Sequence, residues 1–431
     1  MVLSAAKKIM NRGGVSIIIA GFLAIFCRQV LAEQPVLTLD DALRLALGEN
    51  RQLAIGQAKE DEARAGISLA RSAMMPALDI SGTLGVTRGL YSKDINEVSG
   101  RAAIKQDLYK GGAIRAGVRK SEFDLSYARA SLSRDKQEVL LKVKKSFFTL
   151  ILAERYCRLN RLIALNARRH FDYISELYKN GQVSESELIR MRAILRNAEY
   201  LYLNAGTQKG AAAEVLGNLI YFKDSGKIAV SGELYYDFRD AAYDAAFLRA
   251  VESRPELKLY DAKEKSAQEA VKVAKASGRP SLSATWDYYS SNRQVSGAEK
   301  NNNDHNVAGL TVSWPIFDGG HAKAVVEEAI AALKASKAQR EQTLKDIATE
   351  LRQACLGLQD SLDALKAAEE EVKVYRDNLR EARNKYRLGI VSSLDIQDAA
   401  LKYETAYFKK ERAVYSYMLA GIDFDKATGG V

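Results

Sequence analysis

Near its C-terminal end the chain reads YRLGIVSSLDIQD, from Tyr386 to Asp398, and 208 positions earlier it reads YKNGQVSESELIR, from Tyr178 to Arg190. The two phrases keep the Tyr, the Gly, the Val and the first Ser in register. Each follows a very long, charged, Ala-rich stretch without a Pro, so the shared phrase marks a shared place in two copies of one unit.

The echo extends beyond the phrase. AKEDEARAGISLARSAMMPAL (58–78) matches AKEKSAQEAVKVAKASGRPSL (262–282) at an offset of 204, and LYKGG (108–112) matches IFDGG (316–320) at 208. The halves therefore differ by four residues in one loop. In each, a helical pattern (about 39–74, and 241–276) ends before Pro76 or Pro280, because the residue preceding proline is pushed out of the α region.

Period two follows the prolines. Leu282, Ala284, Trp286 and Tyr288 alternate with Ser283, Thr285 and Asp287, and Ala308, Leu310, Val312 and Trp314 alternate with Gly309, Thr311 and Ser313. In the first half Leu78, Ile80, Leu84 and Val86 face away from Asp79, Ser81, Thr83 and Thr87, while Val98, Ala102, Ile104 and Leu108 face away from Ser99, Arg101, Lys105 and Asp107. Four strands, about 77–109 and 281–316, each carry one apolar and one wet face. Trp286, Tyr288, Tyr289, Tyr91 and Trp314 fall where an interfacial aromatic girdle would lie.

Beyond the second Gly pair the pattern predicts a helix from Gly319 to Tyr386, on the order of 100 Å long at 1.5 Å per residue. Its apolar positions run Leu344, Ile347, Leu351, Ala354, Leu358, Leu362, Leu365, Ala368, Val372, Tyr375, Leu379, Ala382, Tyr386, a mean step of about 3.5 that predicts left-handed supercoiling. Residues 111–178 match it in the first half. Gly181 and Gly389 supply the left-handed residue that ends each long helix. Ser184 with Glu187 forms a capping-box pattern for the next helix, and Ser392 with Asp395 a weaker one. The hairpin tips thus fall at about 178–188 and 386–396.

Lys7, Lys8 and Arg12 precede the apolar run VSIIIAGFLAIF (15–26), and Ala32 stands before Glu33, the layout of a cleaved secretory signal over 1–32. The run is too short to span a bilayer. Phe26 and Arg28 flank Cys27 and make it a poor lipidation site. The signal holds four bases and no acid, so the formal charge falls from +10 to +6 in the exported chain, which argues against nucleic acid. Cys157 and Cys355 are isolated within helical stretches and lack metal-like spacing. His170, His305 and His321 are scattered, and neither a zinc motif nor a phosphate loop occurs, so we expect no catalytic residue, metal or cofactor.

Four strands with an apolar outer face leave edges that must be paired in lipid. Single-chain barrels start at about eight strands, so four demand more chains, and three copies would supply twelve. A soluble sandwich is the alternative that alternation leaves open.

The order of helix, Pro, strand pair, [L/I]-[Y/F]-x-G-G, long helix, Y-x-x-G-x-V-S turn and second helix, twice over behind a signal, resembles the TolC-type outer membrane efflux protein family. The resemblance covers essentially all of 33–421. It implies an α+β membrane protein: a homotrimer whose four strands per chain complete a twelve-stranded outer-membrane β-barrel, with the long helices forming an α-barrel that extends into the periplasm. It also implies repeats at 33–220 and 241–421, an equatorial linker at 221–240 and a tail at 422–431. The function implied is a passive exit duct of a tripartite efflux pump or type I secretion system. Its partners would be a periplasmic adaptor (membrane fusion protein), an inner-membrane pump or ABC exporter, and outer membrane lipid. A periplasmic coiled-coil scaffold without its own pore competes with this reading, although an adaptor would carry lipoyl-like segments flanking one hairpin. Lys110 departs from the Asp or Asn usual before the Gly pair, whereas Asp318 fits.

The resemblance also assigns sites. The acids six and nine positions after the second tip Gly, Asp395 and Asp398, match those lining the periplasmic aperture. Spaced i,i+3, they share a helix face. A ring of such carboxylates binds cations or holds protons, because two charges about 6 Å apart repel by roughly 3 kcal/mol at an effective dielectric of 20. Asp395 also reads as a helix cap, as Glu187 does in the other half, whereas Asp398 has Arg190 as its counterpart. Tyr386 matches the tip Tyr that holds the aperture shut, with Val391 where a polar latch residue can occur. Gly181, Val183, Leu188, Gly389, Val391 and Leu394 are the expected adaptor contacts, with packing of the helix turn as the alternative.

Overall fold

A computed structural model describes residues 36–90, 93–223, 228–239, 242–295 and 301–430. The expected signal over 1–32, Cys27 and Tyr91, and part of the linker at 221–240, lie outside the described residues.

The elements come in the duplicated order. The first half holds β1 (Val36–Leu37), α1 (Leu39–Glu49), α2 (Arg51–Ser72), β2 (Ala77–Leu90), β3 (Lys93–Lys110), α3 (Ala113–Lys179) and α4 (Glu185–Ile220). The second holds β4 (Ala229–Val230), α5 (Tyr243–Ser253), α6 (Pro255–Lys275), β5 (Ser281–Val295), β6 (Asn301–Ser313), α7 (His321–Arg387) and α8 (Ser393–Thr428). The two long helices, α3 and α7, are each 67 residues.

Three helical segments differ from the sequence pattern. Each stretch expected as one helix before the strands is two. Asn50 interrupts the first by accepting the Gln52 amide proton on its side chain at 2.9 Å, and Pro255 opens α6 where its missing N–H costs nothing. The segment expected as a tail is helical to Thr428, because Phe424 and Ala427 belong to a buried cluster with Ala246, Leu351, Leu358 and Tyr417.

The described chain divides into two compact units. One comprises 36–48, 143–235 and 368–415; the other comprises 49–142, 236–367 and 416–430. In the first, β1 pairs in parallel with β4, and Phe147, Leu150 and Ile151 of α3 are buried. The second holds the sheet, in the order β2-β3-β5-β6 with every pair antiparallel. Along α7 the apolar seam is buried at Ile347, Leu351, Leu358, Leu365, Ala368 and Leu379, while Leu344 and Tyr386 near its ends are exposed.

Alternation makes the two faces of the sheet unlike. On one face Ile80 is 80% exposed and Leu310 72%, with Leu78, Leu84 and Val312 beside them. On the other, Arg101 clamps Asp287 at 2.6 Å and lies 5.3 Å over the Tyr289 ring, which stacks on His305. Tyr289 therefore leaves the expected aromatic girdle. As an odd-numbered position of β5 it shares the face of Asp287, whereas Trp286 and Tyr288 keep the apolar face.

The Gly pairs open the long helices. Asp318 accepts from the amides of Gly320 and Ala322 at 3.0 and 2.8 Å and so caps α7. Lys110 has no carboxylate to do this and pairs with Asp107 at 2.7 Å instead.

Candidate functional site

The two hairpin turns are built alike. Gly181 and Gly389 both have φ of 72°, where an L side chain is strained. Around the first, Gly181 N donates to Tyr178 O and Gln182 N to Leu177 O; around the second, Gly389 N donates to Tyr386 O and Ile390 N to Lys385 O, all at 2.9 Å. This paired pattern satisfies the carbonyls left over at a helix end.

The caps that follow reverse the expectation. Ser184 and Glu187 form no capping box: the Ser184 hydroxyl meets Ser186 Oγ at 2.8 Å, and Glu187 takes Arg190 at 2.5 Å. Ser392 and Asp395 do form one. Asp395 Oδ2 accepts from Ser392 N and Ser392 Oγ, each at 2.7 Å, and Asp395 N donates to Ser392 Oγ at 3.3 Å. Among the described residues no Lys or Arg pairs with Asp395 as Arg190 pairs with Glu187. The Ser392 hydroxyl, then its amide, holds the Asp395 carboxyl below the usual range, with a smaller contribution from His170.

Asp398 lies one turn further along α8 and serves α3. Its Oδ1 meets His170 Nε2 at 2.9 Å and the Asn166 side-chain amide at 3.1 Å. His170 is partly buried and Asp398 half exposed, so the pair stands at the edge of solvent. Further along the same two helices Tyr156 packs on Phe408 and Arg155 pairs with Glu411. Lys409 and Lys410 of α8 reach Glu371 and Glu369 of α7.

The other expected site residues separate. Gly181, Gly389 and Tyr386 are exposed, Val183, Val391 and Leu394 partly so, and Leu188 is buried. The exposed apolar side chains at the tips are different residues: Leu388 is 74% exposed, Ile390 66%, and Ile189 is also open. Leu388 and Ile390 flank Gly389, a local signal that was available. Nothing local pointed to His170, whose partner is 228 residues away.

Among the described residues no helix is long and apolar enough to cross a membrane. An antiparallel sheet with one apolar and one charged face, set in a duplicated frame of long helices, is the architecture of an outer-membrane efflux channel protein. The chain belongs to the outer membrane efflux protein family, whose model matches residues 42–220 and again 248–430. It is 22% identical over 404 residues to the alkaline protease secretion protein AprF of Pseudomonas aeruginosa, covering 89% of this chain and 82% of that one. Against the outer membrane protein TolC of Salmonella enteritidis it is 22% identical over 396 residues, covering 88% and 79%. In structure it resembles the CmeC outer membrane channel of Campylobacter jejuni with a TM-score of 0.78 at 19% identity, covering 91% of this chain and 85% of that one.

Proposed function

We propose that three copies of the chain form a passive exit duct that carries substrates from an inner-membrane transporter across the periplasm and the outer membrane. The observation that carries this reading is the sheet. Its apolar face is bare, its other face is charged, and β2 and β6 are unpaired edges among the described residues. In lipid those edges must find partners. Because the four strands alternate in direction, the β6 edge of one copy runs antiparallel to the β2 edge of the next, and closure after twelve strands leaves none open.

The tips then take the periplasmic end. Asp395 and Asp398 would line the aperture with six carboxylates in a trimer and favour cations. Tyr386 would stand beside them. An adaptor would dock on Gly181, Val183, Gly389, Val391 and Leu394, with the exposed Leu388 and Ile390 as its apolar contacts. In this reading the duct is passive, and an inner-membrane pump or ABC exporter would supply the energy. The name of AprF concerns protease secretion, which makes a type I secretion role as open to this chain as tripartite efflux.

The test is a planar bilayer. Protein extracted only with detergent should give unitary, cation-preferring conductance. Recovery from the periplasm without detergent, or a bilayer that stays silent, would favour the scaffold reading instead.

A further inference from the structure

Asp395 is occupied by its cap, but Asp398 caps nothing. It is held by His170 and Asn166 of α3, at 2.9 and 3.1 Å. We propose that His170 determines the charge selectivity of the aperture: it positions Asp398 and, on gaining a proton, cancels that carboxylate's charge, so cation preference falls as the pH drops. The proposal rests on the reading of Asp395 and Asp398 as the aperture ring.

Among the described groups around Asp398, His170 supplies the imidazole. On α8, Asp395 is bound to Ser392, and the neutral Gln397 is reached by Arg169 of α3. On α4 the charges nearest in register, Arg196 and Glu199, pair with each other at 3.0 Å, and Glu199 also meets Arg168 at 3.6 Å. On α7, counting along the helix pair from Lys410 and Glu369, Glu381 stands level with Asp398 and is held by Lys385 at 2.7 Å. Carboxylates titrate well below neutrality and guanidinium groups well above it, whereas an imidazole changes charge between about pH 5 and pH 8. With His170 neutral, the ring of a trimer shows six uncompensated carboxylates. With His170 charged, the three from Asp398 are matched by three imidazolium ions at hydrogen-bond distance.

The experiment measures the cation-to-anion permeability ratio of the purified channel, from reversal potentials in a salt gradient, at about pH 8 and about pH 5.5. Wild type should lose preference by about twofold or more between the two. His170→Gln keeps an N–H for Asp398 but does not titrate, and should hold its high-pH preference at both values. Asp398→Asn should lower the preference at high pH and remove most of its pH dependence. A His170→Gln channel that follows the wild-type pH curve, or a wild type whose preference does not change, overturns the proposal and leaves the aperture standing. An Asp398→Asn channel with wild-type preference at high pH overturns the aperture assignment itself.

Discussion

Single residues show how far the two repeats have diverged. Gly111 and Gly319 occupy equivalent places, with φ of 59° and 67°, yet a Cβ on Gly111 would stand 2.9 Å from the Ala276 carbonyl oxygen, while one on Gly319 would meet nothing within 4 Å. Gly319→Ala should cost about 1–2 kcal/mol for left-handed backbone alone, and Gly111→Ala about 1–3 kcal/mol more for the clash. Thermal melts followed by helical circular dichroism in detergent check this; equal losses would contradict it. The tip cap carries a pH signature. The Asp395 carboxyl is held below its usual range, chiefly by the Ser392 hydroxyl, so its stabilisation is complete above the unfolded aspartate value of about 3.9 and is lost as pH falls through the folded one. Amide exchange over 392–396, corrected for the intrinsic rate, should lose protection in that acid window, and Asp395→Asn should lose it at neutral pH. The Gly turns and this acid were readable from the phrase itself. Which of the two caps would form was not, because that depended on Arg190 drawing Glu187 away.

At the scale of elements, the start of α6 is a junction tied by several ion pairs. Arg254 is 3% exposed and binds Glu256 at 3.2 Å and Glu350 of α7 at 2.6 Å; Lys426 of α8 joins Glu350 at 2.9 Å. Burial works against the charge on Glu350, but hydrogen bonds from Lys426 and Arg254 hold its carboxyl below the usual glutamate value. Removing one partner of a buried pair costs about 3–5 kcal/mol; Glu350 is partly exposed and Glu256 remains, so Glu350→Gln should cost about 1–2 kcal/mol. A melting temperature unchanged from wild type would show that the junction does not depend on this charge. The strands and the long helices were legible because one period rules each for many residues: two in β5 and β6, about 3.5 along α7. The breaks at Asn50 and Pro255 were missed although a capping residue and a proline marked both, because the apolar pattern continues across them. Contacts between helices distant in the chain, such as His170 with Asp398, leave no local trace at all.

For the whole molecule the duplication decides most. Among the described residues two repeats give two strand pairs in one sheet, and four strands with a bare apolar face and two unpaired edges do not form a closed structure alone. The charged face, with Arg101 locked to Asp287 and Tyr289 stacked on His305, is the one that closure would turn toward water. Everything proposed for the tips, including the aperture ring and its control by His170, presumes that several copies bring their tips together. The most direct test is therefore the mass of the protein released intact from detergent micelles. The account predicts an assembly of three chains; a protein that is strictly monomeric when extracted, under conditions in which its helices remain folded, would contradict it.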